Sequence, residues 1–421
     1  MTRYLTNPLF VFLSIWALAT GSYAMGVVTG LFRPPEAITL AVVFLSILTF
    51  CLGYLTWTLF QDPTPLTAEQ PGAPSRSLSR ARITAGLRFT LFMGLVALGL
   101  GFYRIALVAS HVGISFFDLV THPTTMRLQL VLFIGTNIFE VSYVAILISV
   151  ASSLFSIGFV LVGIYLYMST SVARYLYLAA FLLISITVGL TNLSRFEVTV
   201  HILYIVFAYC FMSARGHAVR ARHTLLPLLA PIGTVALLFI LIEFLLNKGA
   251  TFAQPDRLRG FFFGFYWYIA SPLAALNEFL ARFDGPYDLG QNMFFPLYKW
   301  LCRFHLAPPT DFSVYGEMIF IPYPANVYTY LRSLYEDFGM TGVIVIPYVL
   351  GLAACLLRAK ATWSLPYLNL YLVLLAFLLF SFYNYYLIST QIYMQVVFGF
   401  VLFRGTPLPP VEPQEGCDPL S

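Results

Sequence analysis

Five arginines lie in one stretch of the sequence, between Leu246 and Met340, which holds seven basic and eight acidic residues. A guanidinium group forms paired hydrogen bonds with phosphate or pyrophosphate, and such charge-assisted bonds are about twice as strong as neutral ones. The arginines therefore favour an anionic partner, although pairing with carboxylates of the same stretch explains any single one of them equally well. They are Arg257, Arg259, Arg282, Arg303 and Arg332.

The end of this stretch predicts a helix that begins after Pro324 and ends at Gly339. Its buried stripe is predicted to consist of Val327, Leu331, Leu334 and Phe338. The polar residues that fall away from this stripe are Asn326, Thr329, Arg332, Ser333 and Glu336. Such a face is suited to line a site, but Arg332 and Glu336 at i, i+4 are also typical of a surface pair worth less than about 1 kcal/mol.

Several chemistries lack their motifs in this sequence. There is no GxxxxGK[ST] phosphate loop, no HExxH zinc helix and no GxSxG elbow. The five cysteines include no CxxC pair, and only Cys302 falls in the arginine-bearing stretch, so we predict no metal site and no disulfide framework. We predict no cofactor. The remaining basic residues are scattered in short loops, which argues against nucleic-acid binding.

The composition identifies the elements that must position these side chains as membrane helices. Hydrophobic residues make up 59% of the 421 residues and charged residues only 10%, with a mean hydropathy of +0.83. A soluble domain has roughly 25% charged residues. We therefore predict an all-α, polytopic bundle of about ten to eleven spans, each of about 20 apolar residues.

The apolar runs and the basic loops together predict an orientation. The linker after the second run carries four arginines between Arg76 and Arg88, which the positive-inside rule places in the cytoplasm. The N-terminus is then cytoplasmic too, and we expect the first run to be a retained span rather than a signal peptide. The predicted spans are Leu9–Val28, Ala37–Phe60, Phe89–Ser110, Tyr175–Leu190, Val198–Met212, Leu225–Leu246, Met340–Leu357, Leu365–Leu387 and Gln391–Phe403.

Parity of crossings decides one ambiguous region. The apolar stretch from Gln129 to Met168 is long enough for two spans, but it connects an outside loop to the cytoplasmic Arg174, so it makes one net crossing. Part of it is therefore predicted to be re-entrant or interfacial. The same count puts Arg195 at the outer junction of two spans, where a charge is costly and favours a functional role.

The chain divides accordingly into four parts. We predict N-terminal transmembrane helices over 1–246, an outside loop over 247–339 that carries the site, C-terminal transmembrane helices over 340–404, and a cytoplasmic tail over 405–421. The outside loop is too long for a passive connector and is rich in aromatic residues, as expected of helices at the headgroup level.

Motifs in this loop resemble those of the O-antigen polymerases, the Wzy-type oligosaccharide repeat-unit polymerases of bacterial surface glycan assembly. The run Tyr268 to Asn277 is similar to a family helix, and Gln291 to Tyr298 to the segment that follows it. The best match is Asn326-Val327-Tyr328-Thr329 followed by Asp337-Phe338-Gly339. Thr191 to Arg195 is similar to the family's serine-arginine turn.

The resemblance implies a GT-C-like glycosyltransferase of the bacterial inner membrane, with both termini cytoplasmic and a periplasmic active site. Its substrates would be undecaprenyl-pyrophosphate-linked glycans, donor and acceptor, polymerised into lipopolysaccharide O-antigen or another surface polysaccharide. Membrane lipid, a chain-length regulator and a flippase are the expected partners. The candidate catalytic residues are Glu278, Asn326, Tyr328, Glu336 and Asp337. The candidate substrate-binding residues are Arg195, Arg257, Arg259, Arg282, Arg303, Thr329 and Arg332.

Two alternatives stay open. An O-antigen ligase-like enzyme would transfer finished glycan to another acceptor, although ligases carry a histidine where this chain has Asn326. A lipid or polysaccharide permease would need ionisable residues at mid-membrane depth, for which Arg104 and Glu140 are the main candidates.

Overall fold

A computed structural model describes residues 2–60, 79–121, 139–192, 195–215, 257–307, 319–383 and 389–408. Helices dominate this part of the chain, and one two-stranded antiparallel sheet, β1 (Ile319–Phe320) with β2 (Pro324–Ala325), accompanies them. The helices are α1 (Thr2–Leu5), α2 (Pro8–Val28), α3 (Ala37–Phe60), α4 (Arg80–Val112), α5 (Phe116–Thr121), α6 (Phe139–Met168), α7 (Ala173–Asn192), α8 (Arg195–Arg215), α9 (Arg257–Arg282), α10 (Phe295–Arg303), α11 (Tyr330–Ala361), α12 (Leu365–Phe380) and α13 (Thr390–Leu402).

The predicted multi-pass membrane architecture is confirmed. Among the described residues, seven helices are long and apolar enough to cross a bilayer: α2, α3, α4, α6, α7, α8 and α11. Helices α6 and α8 form the centre of the bundle. In each of them, 72% of the most apolar 18-residue segment is buried, compared with 33% in α2. In the described part of the stretch that parity assigned to one crossing, residues 139–168 form the unbroken helix α6. The predicted span Leu225–Leu246 and residues 129–138 lie outside the described part.

Two of the helix boundaries that differ from the sequence prediction are explained by hydrogen bonds. The predicted span Leu365–Leu387 is shorter, since α12 ends at Phe380. There the Ser381 hydroxyl accepts a bond from the Trp16 indole, and its carbonyl accepts one from the Tyr330 amide. The helix predicted to begin after Pro324 begins at Tyr330, because Pro324 and Ala325 pair with β1 and Thr329 caps the helix through its hydroxyl.

Glycines allow α3 and α11 to approach closely. A Cβ atom added at Gly53 would overlap the carbonyl of Tyr348, and one added at Gly351 would overlap the carbonyl of Phe50. Small residues at such a crossing let two backbones pack directly, which is the usual basis of helix association in membranes.

We expect Gly351→Val to lower the melting temperature of the detergent-solubilised protein, because overpacking costs about 1–3 kcal/mol or more. Gly99→Val is the matched control, since Gly99 also lies in a span but has no atom within 4 Å of its added Cβ. Thermal unfolding followed by intrinsic fluorescence measures both. Equal losses in the two variants would mean that helix propensity, and not the crossing, sets the effect.

Gly339 divides α11 into two segments. Its φ of 60° and ψ of −146° are non-helical and lie in a region that favours glycine, so the chain changes direction there. The first segment begins deep among the spans, where the Tyr330 hydroxyl lies 2.6 Å from that of Ser46. The second segment packs along α3 as a span. The helix end predicted at Gly339 is therefore present as this break.

Candidate functional site

A buried carboxylate lies between two exposed guanidinium groups at the end of α9. Glu278 has a side chain 10% exposed, and it accepts bonds from Arg282 at 3.0 Å and from Arg33 at 3.5 Å. Arg282 comes from the next turn of the same helix, and Arg33 from the turn between α2 and α3. The arginine side chains are 67% and 80% exposed, so their remaining N–H donors are open to a ligand.

The neighbouring residue Asn277 fastens α9 to that turn. Its side-chain oxygen accepts bonds from the Glu36 amide and the Thr39 hydroxyl, both at 2.8 Å, and its amide group donates to the Pro34 carbonyl at 3.3 Å. Asn277 is only 4% exposed. An amide that satisfies three partners in a buried position fixes both elements, so the separation of Arg33 and Glu278 is held by the fold.

These residues line a cavity of about 230 Å³. The Tyr23 hydroxyl donates to the Arg33 carbonyl at 2.9 Å and so holds the turn from the side of α2. The other walls are apolar and come from the turn after α2, from α9 itself, and from β1 with the turn that follows it. They are Leu31, Phe32, Ala274, Phe320, Ile321 and Pro322. The cavity has the size of a small anionic group, and it offers two cationic forks beside an apolar wall.

A second cluster contains Arg332 on α11. Its guanidinium carbon lies 4.1 Å from the ring centre of Tyr328 and 4.8 Å from that of Phe279. Its side chain, 15% exposed, pairs at 3.3 Å with Glu336, which is 20% exposed, so the i, i+4 pair forms but is largely buried and not the surface pair considered from the sequence. Two rings and a carboxylate enclose this arginine, which makes it less accessible than Arg33 or Arg282.

The Asp337 carboxylate organises the loop before α10. Asp337 is fully buried and accepts bonds from the Asn292 amide at 3.0 Å, the Asn292 side chain at 2.9 Å and the Met293 amide at 2.7 Å. The Asp337 carbonyl also accepts the Leu289 amide at 3.1 Å. Both oxygens of this carboxylate are thus bound by the loop, whereas those of Glu278 are bound by two exposed guanidinium groups at a cavity.

The two clusters are joined through α9, on which Glu278 and Phe279 are consecutive. Glu278 points to the cavity, whereas the Phe279 ring lies against the Arg332 guanidinium and edge-on to the Tyr328 ring. On the next turn, the ring of Phe283 lies edge-on to that of Tyr335, with centres 5.6 Å apart. One helix therefore sets the position of the cavity relative to the segment that ends at Gly339.

The structure brings together five of the predicted site residues around α9, namely Glu278, Arg282, Tyr328, Arg332 and Glu336. Thr329 is 2% exposed and caps α11, and Asn326 is half-buried in the extended chain before it. Of four other predicted arginines, Arg195, Arg257, Arg259 and Arg303, the described part gives only the helical backbone.

Sequence reasoning missed Arg33 and Tyr23. The orientation predicted from the basic loops places the turn after the first span on the outer side, and Arg33 stands in that turn beside two prolines. A basic residue there is an exception to the positive-inside rule. A charge at the outer junction of two spans is costly and favours a functional role, so the reason for proposing Arg195 applies equally to Arg33.

A buried polar chain connects four helices elsewhere in the bundle. His201 on α8 lies 2.8 Å from the hydroxyls of both Ser185 and Ser156. Gln391 on α13 donates to Ser156 at 3.4 Å and to Glu197 at 3.0 Å. Hydrogen bonds across helices hold membrane bundles together, and they also occur along transport pathways.

Comparison with known proteins adds no relative, because no family model, no curated protein and no solved structure matches the chain.

Proposed function

We propose that this protein is an oligosaccharide repeat-unit polymerase, which joins undecaprenyl-pyrophosphate-linked glycans at the periplasmic face of the inner membrane. The observation that carries the proposal is the pair of exposed guanidinium groups held around the buried Glu278 at a cavity between membrane helices. The motifs that resemble the O-antigen polymerases include Asn277, which lines this cavity, and Tyr328, which contacts Arg332 in the neighbouring cluster.

The reaction needs charge stabilisation more than covalent help. The bond between the anomeric carbon and the donor's pyrophosphate breaks, and its electron pair leaves with the polyprenyl pyrophosphate. The acceptor hydroxyl oxygen forms the new glycosidic bond, and its proton passes to a carboxylate and then to water. Donors fixed in advance at the developing charge lower the barrier, and one such donor is worth about 100- to 1,000-fold in rate.

Each residue of the cavity has a role in this scheme. Arg33 and Arg282 bind the pyrophosphate, since their free forks match its oxygens. Glu278 keeps the two forks together in the unliganded protein, and it is the cavity carboxylate placed to take the acceptor's proton. Asn277 is a positioning residue, because it acts by fixing the turn that carries Arg33.

Reconstitution of the purified protein with a synthetic lipid-pyrophosphate oligosaccharide tests the proposal. We expect products that increase by whole repeat units, together with release of the free lipid pyrophosphate in equal number. Protein inactivated by heat is the control. If products form only when a lipid A acceptor is added, the enzyme is a ligase and the polymerase proposal fails.

A permease is the second candidate, and the buried chain from His201 to Glu197 is the observation that favours it. Arg104 on α4, 8% exposed, adds a buried cation whose charge interacts with Glu197. Such groups are costly within a membrane and are usually functional. Movement of the intact lipid-linked glycan across sealed vesicles without release of lipid pyrophosphate would support the permease and contradict the polymerase.

A further inference from the structure

The short helix α10 has an exposed apolar face. At 100° per residue, Leu297, Trp300 and Phe304 fall on one side of the axis, and Lys299 falls on the other. The three apolar residues are 57%, 39% and 62% exposed. The rings of Trp300 and Phe304 stack with centres 6.0 Å apart. A continuous apolar patch of this kind is unfavourable in water and marks an interaction surface.

The residues on either side of α10 extend this face. Phe294 precedes the helix and is 42% exposed, and Leu306 follows it and is 72% exposed. The apolar surface is therefore longer than the helix. Lys299 is exposed on the opposite side, as in helices that lie flat on a lipid surface.

The Asp337 carboxylate fixes the position of this face relative to the spans. Asp337 holds Asn292 and Met293, the residues directly before Phe294. It stands two residues before the span segment of α11, which follows the break at Gly339. At a rise of 1.5 Å per residue, Asp337 lies within about 5 Å of the start of that segment. The chain that leads into α10 is thus held close to one end of a span.

We propose that α10 lies in the headgroup region of the adjacent leaflet, with Leu297, Trp300 and Phe304 inserted at the boundary of the acyl chains. The occupant of this face is the lipid surface itself. Tryptophan beside leucine and phenylalanine is the composition that prefers this depth, and the Asp337 carboxylate ties the residues before α10 to the start of a span. The proposal rests on membrane insertion alone and does not depend on the polymerase reaction.

Site-directed fluorescence in the full-length protein tests this placement. The five natural cysteines are replaced, and an environment-sensitive label is attached through Leu297→Cys or Phe304→Cys, with Lys299→Cys as the control on the opposite face. The protein is placed in nanodiscs of phosphatidylcholine and phosphatidylglycerol in equal parts. Two quenchers are compared: iodide in water, and a phosphatidylcholine spin-labelled near the headgroup end of its acyl chain.

We expect the labels at 297 and 304 to show a blue-shifted emission, loss of iodide quenching and strong quenching by the lipid. The label at 299 should show the reverse. Iodide quenching at 297 and 304 equal to that at 299 would overturn the proposal. Shielding of 297 and 304 from both quenchers would also overturn it, because a second copy or another part of the chain would then cover the face. Two labelled positions keep the test valid if one variant fails to fold.

Discussion

Replacing Arg33 with alanine is expected to slow glycan chain extension by about 100- to 1,000-fold, the range found when one preorganised donor to a developing charge is removed. Arg33 is 80% exposed, and Glu278 keeps its shorter bond to Arg282 when Arg33 is lost, so the fold and the melting temperature should be unchanged. The measurement is the initial rate of repeat-unit addition by the reconstituted protein.

Two control variants make this result specific. Arg82→Ala removes an arginine that is exposed at the start of α4, away from the cavity, and it should retain full activity. Arg33→Lys keeps the charge but loses the planar fork, so we expect it to recover only part of the rate. Full activity of Arg33→Ala would refute the role of the cavity. If Arg82→Ala slows chain extension as much as Arg33→Ala does, the loss reflects a non-specific effect of charge.

Asp337→Ala is expected to release the loop that precedes α10. The change leaves the buried amides of Asn292 and Met293 without an acceptor, and losing charge-assisted bonds of this kind costs roughly 3 kcal/mol or more. Hydrogen exchange in the peptide 288–294 should then accelerate about 100-fold, since each 1.4 kcal/mol is a factor of ten. Mass spectrometry of the exchanged protein measures this directly.

Asp284→Ala is the matched control, because Asp284 is exposed and lies only a few residues before the same loop. It should leave exchange in 288–294 at the level of the unmodified protein. If Asp337→Ala leaves that exchange unchanged, the carboxylate does not hold the loop. It then becomes available again as a candidate for the proton transfer.

The helices were predictable because their signal is local. The helix Ala37–Phe60 has the same bounds in the prediction and in the structure. A run of about 20 apolar residues is enough by itself to indicate a helix that crosses the lipid. The break at Gly339 was also indicated by its residue type. The shorter α12 was not, because its end depends on bonds from Trp16 and Tyr330, which are distant in sequence.

The site was predictable only in part, and the reason is again distance along the chain. Glu278 and Arg282 were proposed from the arginine-rich stretch that contains them both. Their partner Arg33 is 245 residues away from Glu278, and no local pattern links the two. The role of Asp337 was hidden for the same reason, since its partners Asn292 and Met293 are set by a loop conformation and not by a spacing.

The contacts of Asn277 have a consequence for biogenesis. The turn between the first two spans is fixed by Asn277, which lies 241 positions after Glu36 in the sequence. If the first helical hairpin inserts during translation, α9 has not yet been synthesised. The Glu36 amide and the Thr39 hydroxyl then donate their hydrogen bonds to water in place of Asn277. A nascent chain that stops before α9 would thus contain a finished hairpin and no cavity. On that route, the cavity would form only after the first hairpin has inserted.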